Sequence, residues 1–373
     1  MQGNADPPSG AARRILSVTR ITCRLSGSLT IKLAAISLVG TLVMTAALTL
    51  VDSNQVDGFT KQAIGESDAQ NSTQLKQLSL DMTHLVSLQY ESLRKQLDIG
   101  LPIALDGISG LGGFSRETAT ATWTATDQVS GQTKQLTLPR LDLGGSWLGQ
   151  ATDPTGAFPA IDNLAKATGA TVAVYQLDGT GTGLLSVASS GLTADGKSRA
   201  IGTFASATGA DGSADPFVTA ALAGKEYRGP AQIGPTWCEV VATPIKDAAG
   251  QVLGSLVLGL DQFTGGELRA TMLKTVVGAT GYVYVLGGHG SRRGYYILSK
   301  GGTRDGENIW DTKDSSGDYP IRKLVNDGAA LASDQVKVDS YPWQNPGETT
   351  SRLKIAYLSY FAPWDWELPS SAQ

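Results

Sequence analysis

The chain has 373 residues, 41% of them hydrophobic and 17% charged, with a formal net charge of −4. That balance excludes a disordered chain, and it excludes the basic footprint that DNA or RNA binding requires. The 45 glycines are scattered without a period, which fits many turns and short strands rather than a collagen-like or low-complexity sequence.

The first element is an apolar run, LAAISLVGTLVMTAALTLV, over residues 33–51. It carries no charge and is close to the roughly 20 residues that cross a bilayer core. Arg13, Arg14, Arg20, Arg24 and Lys32 precede it and Asp52 and Asp57 follow, so residues 1–32 are expected in the cytoplasm and everything after residue 52 outside the inner membrane. The run is long for a signal peptide and ends in ALTLVDS, without a small-x-small cleavage site, which predicts an uncleaved single-pass anchor. Cys23 and Cys238 then lie on opposite sides and do not pair, and Cys238 is read as a buried small hydrophobe.

Residues 52–100 read as one long helix. Residues 54–99 hold no proline, and Leu75, Leu78, Met82 and Leu85 follow helical spacing, with Gly100 and Pro102 as the expected stop. Its apolar stripe packs either on its own domain or against the same helix of a second chain. His84 on this helix reads as a surface or interface residue. From 105 to 155 the Gly-, Thr- and Ser-rich sequence predicts irregular strands and loops.

Next comes a short helix in FPAIDNLAKATG, then strands in TVAVYQL, LLSVASS and RAIGTF. A second compact helix in ADPFVTAALAG has Asp215 as N-cap and Pro216 at its first position. Strands follow in RGPAQIG, WCEVVATPI and QVLGSLVLGLD. A related order comes after it, with a helix in ELRATMLKTVVG, strands in TGYVYVLGG and GYYILSK, a loop and helix, and closing strands in SDQVKVDSYPW and SRLKIAYLSYF. The class expected is α+β with mostly antiparallel sheets.

No motif supports catalysis. With two His and two Cys there is no metal-ligand spacing, and the nucleophile elbow Gly-x-Ser-x-Gly is absent. His289 and the arginines of GGHGSRRG sit in a hairpin-type turn without the Lys-Ser/Thr of a phosphate loop. Asp311, Asp314 and Asp318 lack the spacing and the Glu of a calcium loop. The reading is of a non-enzymatic chain without a cofactor.

Binding residues are better supported. Period-2 alternation places Tyr282 and Tyr284 on one strand face, and Lys354 and Tyr360 on one face opposite Leu353, Ile355 and Tyr357. Comparable candidates in the earlier half are Tyr175, Arg199, Tyr227 and Trp237. Arg199 or Lys354 is suited to a ligand carboxylate.

The stretches VVGATGYVYVLGG, DGENIWDTKDSSGDYPIRKLV and YPWQNPGETTSRLKIAYLSYFAPWDW resemble a Cache domain, the PAS-like extracytoplasmic sensor of bacterial receptors. KATGATVAVYQLDG, GKSRAIGTF, ALAGKEYRGPAQIG and VVATPIKDAAGQVLGSLVLGLD resemble the other half of a Cache 3/Cache 2 fusion, found mainly in methyl-accepting chemotaxis proteins. The likeness covers roughly residues 155–366.

It implies a membrane-distal module at 101–262, a membrane-proximal module at 263–366, and pocket roles for Tyr296 and Asp311. It also implies a small ligand (an organic acid, amino acid or amine), a homodimer through the long helix, and a helix displacement passed inward. Sensor ectodomains of histidine kinases or diguanylate cyclases, and a membrane-anchored scaffold or adhesion protein, are the competing readings. The sequence departs from the family where ELPSSAQ, residues 367–373, stands in place of a second membrane helix. The expectation is a polar tail on a truncated receptor that pairs with full-length relatives.

Overall fold

The computed structural model describes residues 68–154, 158–209, 211–277, 280–344 and 349–372. Among them no helix is long and apolar enough to cross a membrane. The expected anchor at 33–51, the basic segment before it and Cys23 lie outside the described residues.

Helix α1 (Asp68–Gly110) is ten residues longer at its C-terminal end than Gly100 and Pro102 predict. The glycines on its inner side are contact points. A Cβ at Gly107 would lie 2.6 Å from Leu164 Cδ2, and one at Gly100 3.4 Å from Thr168 Cβ. Burial of Leu93, Leu97, Leu101, Ala104 and Ile108 offsets the roughly 3 kcal/mol that an internal proline costs a helix. The stop comes at Gly112 and Gly113, both with positive φ.

Next come β1 (Phe114–Asp127), β2 (Thr133–Leu143), β3 (Ser146–Trp147), α2 (Pro159–Thr168), β4 (Thr171–Leu177), β5 (Gly183–Ser189) and β6 (Thr203–Ser206). They are followed by α3 (Pro216–Leu222), β7 (Tyr227–Ile233), β8 (Thr236–Lys246) and β9 (Val252–Asp261). The region expected to be irregular is a long antiparallel hairpin, β1 with β2, its turn held by Asp127 Oδ1 accepting from the Val129 and Ser130 amides.

The nine strands form one sheet in the order β3-β2-β1-β6-β5-β4-β9-β8-β7. Every pair is antiparallel except β1 with β6. Helices α1 and α2 cover one face of this sheet, where Ile161, Leu164, Val172, Val241 and Leu258 share a core. Helix α3 covers the other face with Phe217 and Val218 against Tyr175, Cys238 and Val240. Asp215 caps it, accepting from Val218 N at 2.9 Å as its position predicts.

The second module holds α4 (Glu267–Lys274), β10 (Val276–Val277), β11 (Gly281–Val283), β12 (Val285–Gly287), β13 (Tyr296–Leu298) and α5 (Pro320–Ala329). It closes with β14 (Lys337–Trp343), β15 (Arg352–Leu358), β16 (Tyr360–Phe361), β17 (Trp366–Glu367) and β18 (Ser370–Ala372). The sheets run β10-β11-β18-β15-β14 and β13-β12-β17-β16.

The segment expected to be a polar tail is thus the inner strand of both sheets. Glu367 pairs with Leu286 and Tyr360, and Ser371 pairs with Tyr282 and Ala356. Pro369 interrupts the ladder at one point only, and its carbonyl accepts from Tyr284 N at 3.2 Å. Ser370 and Ser371 are small enough to sit fully buried between neighbouring strands, which their polarity disguises in the sequence.

Helix α1 also packs on this module. Ser79 Oγ donates to Tyr357 O at 3.0 Å, and Thr83 Oγ1 to Ser359 Oγ at 2.8 Å.

Candidate functional site

On the α3 face of the nine-stranded sheet, Phe217 meets Tyr175 edge to face and Tyr227 at a tilt. The ring centroids are 5.3 Å apart for Tyr175 and Phe217, and 5.9 Å for Phe217 and Tyr227. Each phenol is anchored to backbone: Tyr175 Oη donates to Gln232 O at 3.2 Å and Tyr227 Oη to Pro230 O at 2.9 Å. Burial holds both phenols well above their ordinary pKa, so they stay neutral donors. It also pushes the Cys238 thiol up to about 12, which leaves it an inert hydrophobe.

Phe217, Tyr227, Gln232 and Trp237 from the first module and Arg292, Tyr360 and Trp364 from the second wall a cavity of about 430 Å³. A second cavity of about 420 Å³ adjoins it, sharing Trp237 and Arg292 and reaching Gln262, Tyr295 and Tyr296. Both volumes fall in the range of small-molecule sites. Two residues that line both form a stacked pair, with the Arg292 guanidinium carbon 4.2 Å from the Trp237 ring centroid. Nη2 of the same arginine donates to Trp364 O at 3.2 Å. Burial lowers its pKa to about 10, so it remains a cation at neutral pH.

At the rim, Asp365 accepts from Tyr360 Oη at 2.7 Å and from the His289 amide at 2.7 Å, and lies 2.7 Å from His289 Nδ1. Asp365 sits in the left-handed region at φ 56, which aims its carboxylate back at the turn.

The candidates of the second module form a separate cluster. The Lys354 ammonium is 4.3 Å from the Tyr282 centroid, 5.6 Å from Trp343 and 5.9 Å from Tyr284, and it donates to Tyr282 Oη. Tyr284 and Tyr341 share a hydroxyl–hydroxyl bond of 2.7 Å, and Tyr296 stands 6.1 Å from Tyr284. Burial raises the Tyr284 and Tyr341 phenols far above the ordinary value, and the Tyr296 phenol to about 12. Lys354 is buried while Leu353 and Ile355 beside it are exposed, so β15 turns its polar member inward. Tyr360 does not share this face as expected, because the strand breaks at Ser359 and β16 joins the other sheet.

Two candidates lie elsewhere. Arg199 is bidentate to Asp162, at 2.8 Å from Nη1 to Oδ1 and 2.8 Å from Nη2 to Oδ2, and donates to the Ser189 carbonyl. Its guanidinium braces α2, in place of the ligand contact expected. Asp311 is exposed and bonded to Arg322, a brace between a loop and α5.

Sequence reasoning missed Phe217, Gln232, Gln262 and Arg292. Nothing in SRR separates Arg292 from Arg293, yet the first lies under Trp237 and the second stacks 4.0 Å from Trp310. Among the described residues, no group of three or more His, Cys, Asp or Glu side chains is placed to hold a metal ion.

No curated protein matches the chain. Among solved structures, a methyl-accepting chemotaxis protein from Vibrio parahaemolyticus RIMD 2210633 is 21% identical, covering 29% of this chain and 68% of its own at a TM-score of 0.24. The sensor domain of the histidine kinase DctB of V. cholerae is 12% identical, covering 57% and 75% at 0.33. The ligand-binding domain of Mlp24, solved with asparagine, is 12% identical, covering 57% and 72% at 0.32. The family model for the Cache 3/Cache 2 fusion domain matches residues 60–373. The chain therefore belongs to the Cache 3/Cache 2 fusion family.

Proposed function

We propose that the chain is a membrane-anchored sensor of chemoreceptor type, which binds a small molecule in the cavity walled by Tyr227, Trp237 and Arg292. The observation that carries this reading is the cavity itself: about 430 Å³, aromatic on one side, with polar groups from two modules converging on it. A ligand there touches both modules at once, so it has differential affinity for any two arrangements of them.

The readout is α1. It packs on the far face of the nine-stranded sheet and reaches the second module through Ser79 and Thr83. A homodimer through α1 and an anchor at 33–51 complete the proposal. The aromatic cluster around Lys354 serves as the structural core of the second module.

The test is a thermal-shift screen of the chain against organic acids, amino acids and amines. Ligand at 100 times its Kd stabilises by about 2.7 kcal/mol, a shift readily seen in melting. A compound-specific rise supports the sensor, and silence across the panel overturns it in favour of a scaffold.

A further inference from the structure

Trp364 is the residue at which the cavity, the nine-stranded sheet and α1 meet. It ends the 3-10 turn Ala362–Trp364 of the second module and is fully buried. Its carbonyl accepts from Arg292 Nη2 at 3.2 Å, beside the cavity, and its indole Nε1 donates to Glu239 Oε2 at 3.0 Å, on β8. Its ring stands edge to face with Tyr90 of α1 at 5.9 Å, and Tyr90 also meets Phe361 at 5.5 Å.

Glu239 is the group in this junction that can change charge. It is 1% exposed, and the Trp364 indole is its hydrogen-bond donor. The residues paired with it across the sheet, Pro230 of β7 and Leu260 of β9, carry no titratable group. Two cations face it, Arg94 from α1 and Arg228 from β7, and both act on it through space only. Arg228 is taken up by Asp98 and Glu226, whereas Arg94 Nη1 donates to Tyr90 Oη at 2.9 Å. A carboxylate here is short of donors, and burial, the largest influence on it, keeps the proton in place up to about pH 7.

We propose that Glu239 is a proton-sensing site, through which the chain reads the pH of its surroundings as a second input and reseats α1 on the second module. The proposal rests on the reading of α1 as the readout. With the proton bound, the neutral carboxyl accepts from Trp364 and leaves Arg94 on Tyr90. When the proton passes to solvent, the charge on Glu239 draws the Arg94 guanidinium, which has no carboxylate partner among the described residues. Turning to Glu239 takes Arg94 off Tyr90 and frees the ring that wedges α1 against Phe361 and Trp364. Protons and the ligand of the cavity then act on Trp364 from its two ends, so each alters the affinity for the other.

The test uses the whole chain in detergent micelles, labelled with 5-fluorotryptophan, with fluorine NMR spectra taken from pH 5 to 9. Trp364→Phe identifies the Trp364 resonance. That resonance is expected to move with one midpoint at about pH 7 in wild type and to stay fixed in Glu239→Gln. In Arg94→Gln the midpoint rises, because a cation facing the carboxylate is lost. Hydrogen exchange over residues 85–97, corrected for its intrinsic dependence on pH, is expected to change across the same midpoint in wild type and not in Glu239→Gln. If Trp364→Phe fails to fold, this exchange measurement, which needs no assignment, decides alone. A Trp364 resonance constant from pH 5 to 9, or one that titrates alike in Glu239→Gln and wild type, overturns the proposal. So does a titration that leaves exchange in α1 unchanged. A compound that raises Tm without any titration at Trp364 keeps the sensor and removes the proton site; a titration beside a silent compound panel does the reverse.

Discussion

The indole Nε1 of Trp364 donates to Glu239 Oε2 at 3.0 Å, joining the last part of the second module to β8, beside the edge strand β7 of the nine-stranded sheet. Both side chains are buried, Trp364 fully and Glu239 at 1% exposure. Burial pushes the Glu239 pKa up to about 7, against the opposing pull of the Trp364 hydrogen bond.

The sign follows from that shift. The folded state holds the Glu239 proton up to about pH 7, while the unfolded chain releases it near 4.5. Stability from this group is therefore present below pH 4.5 and lost as pH rises towards 7, by about 1–3 kcal/mol. Glu239→Gln keeps an acceptor for Trp364 and removes the ionisation. Urea unfolding at pH 4.5, 6 and 8 is expected to show the variant gaining on wild type as pH rises; parallel curves would show that Glu239 titrates normally.

Glu367 makes the same argument in stronger form. It is fully buried, neither carboxylate oxygen has a hydrogen-bond partner, and burial followed by repulsion from Asp327, Asp339 and Asp365 raises its pKa well above 4.5. A raised acid stabilises at low pH and destabilises as pH rises. Glu367→Gln is expected to raise Tm at pH 8 and to do so less at pH 4.5. A fall in Tm at pH 8 would mean that the charged carboxylate has a partner.

Arg199 and Asp162 are coupled. Arg199 is buried and Asp162 half-buried, so water partly compensates the carboxylate left behind, and Arg199→Ala is expected to cost about 2 kcal/mol. The double variant Arg199→Ala/Asp162→Ala should lose less than the sum of the single changes. Additive losses in a denaturant double-mutant cycle would contradict the bidentate bond. Ligand affinity should not change, because the pair lies outside the cavity walls.

Trp237 lines both cavities. Trp237→Ala removes the stacking surface of Arg292. Ligand affinity should fall at least tenfold, equivalent to about 1.4 kcal/mol, when measured by calorimetry. Unchanged affinity would move the site elsewhere.

Much of the fold is written in local pattern. Asp215 and Pro216 mark α3, and the β-branched run at 171–177 marks β4. The hairpin β1–β2 was hidden because Thr and Ala alternate there with too little contrast in polarity to show a face. Gly100 and Pro102 read as a stop because close approach to α2 is a tertiary fact. Ser370 and Ser371 read as a tail because serine carries no sign of burial, although the strands on either side enclose both.

For the cavity, sequence pattern singled out Tyr227 and Trp237 but not Arg292. Tyr227 and Trp237 line the cavity, while Arg199, chosen for a ligand, is held by Asp162. Arg292, which faces the cavity, sits in a turn that reads as surface.

The most direct measurement is a crystal structure of the chain with a compound that raises its Tm. Electron density for that compound between Tyr227, Trp237 and Arg292 is the expected result. Density in the aromatic cluster around Lys354, with this cavity holding only water, would contradict the assignment of the sensing site.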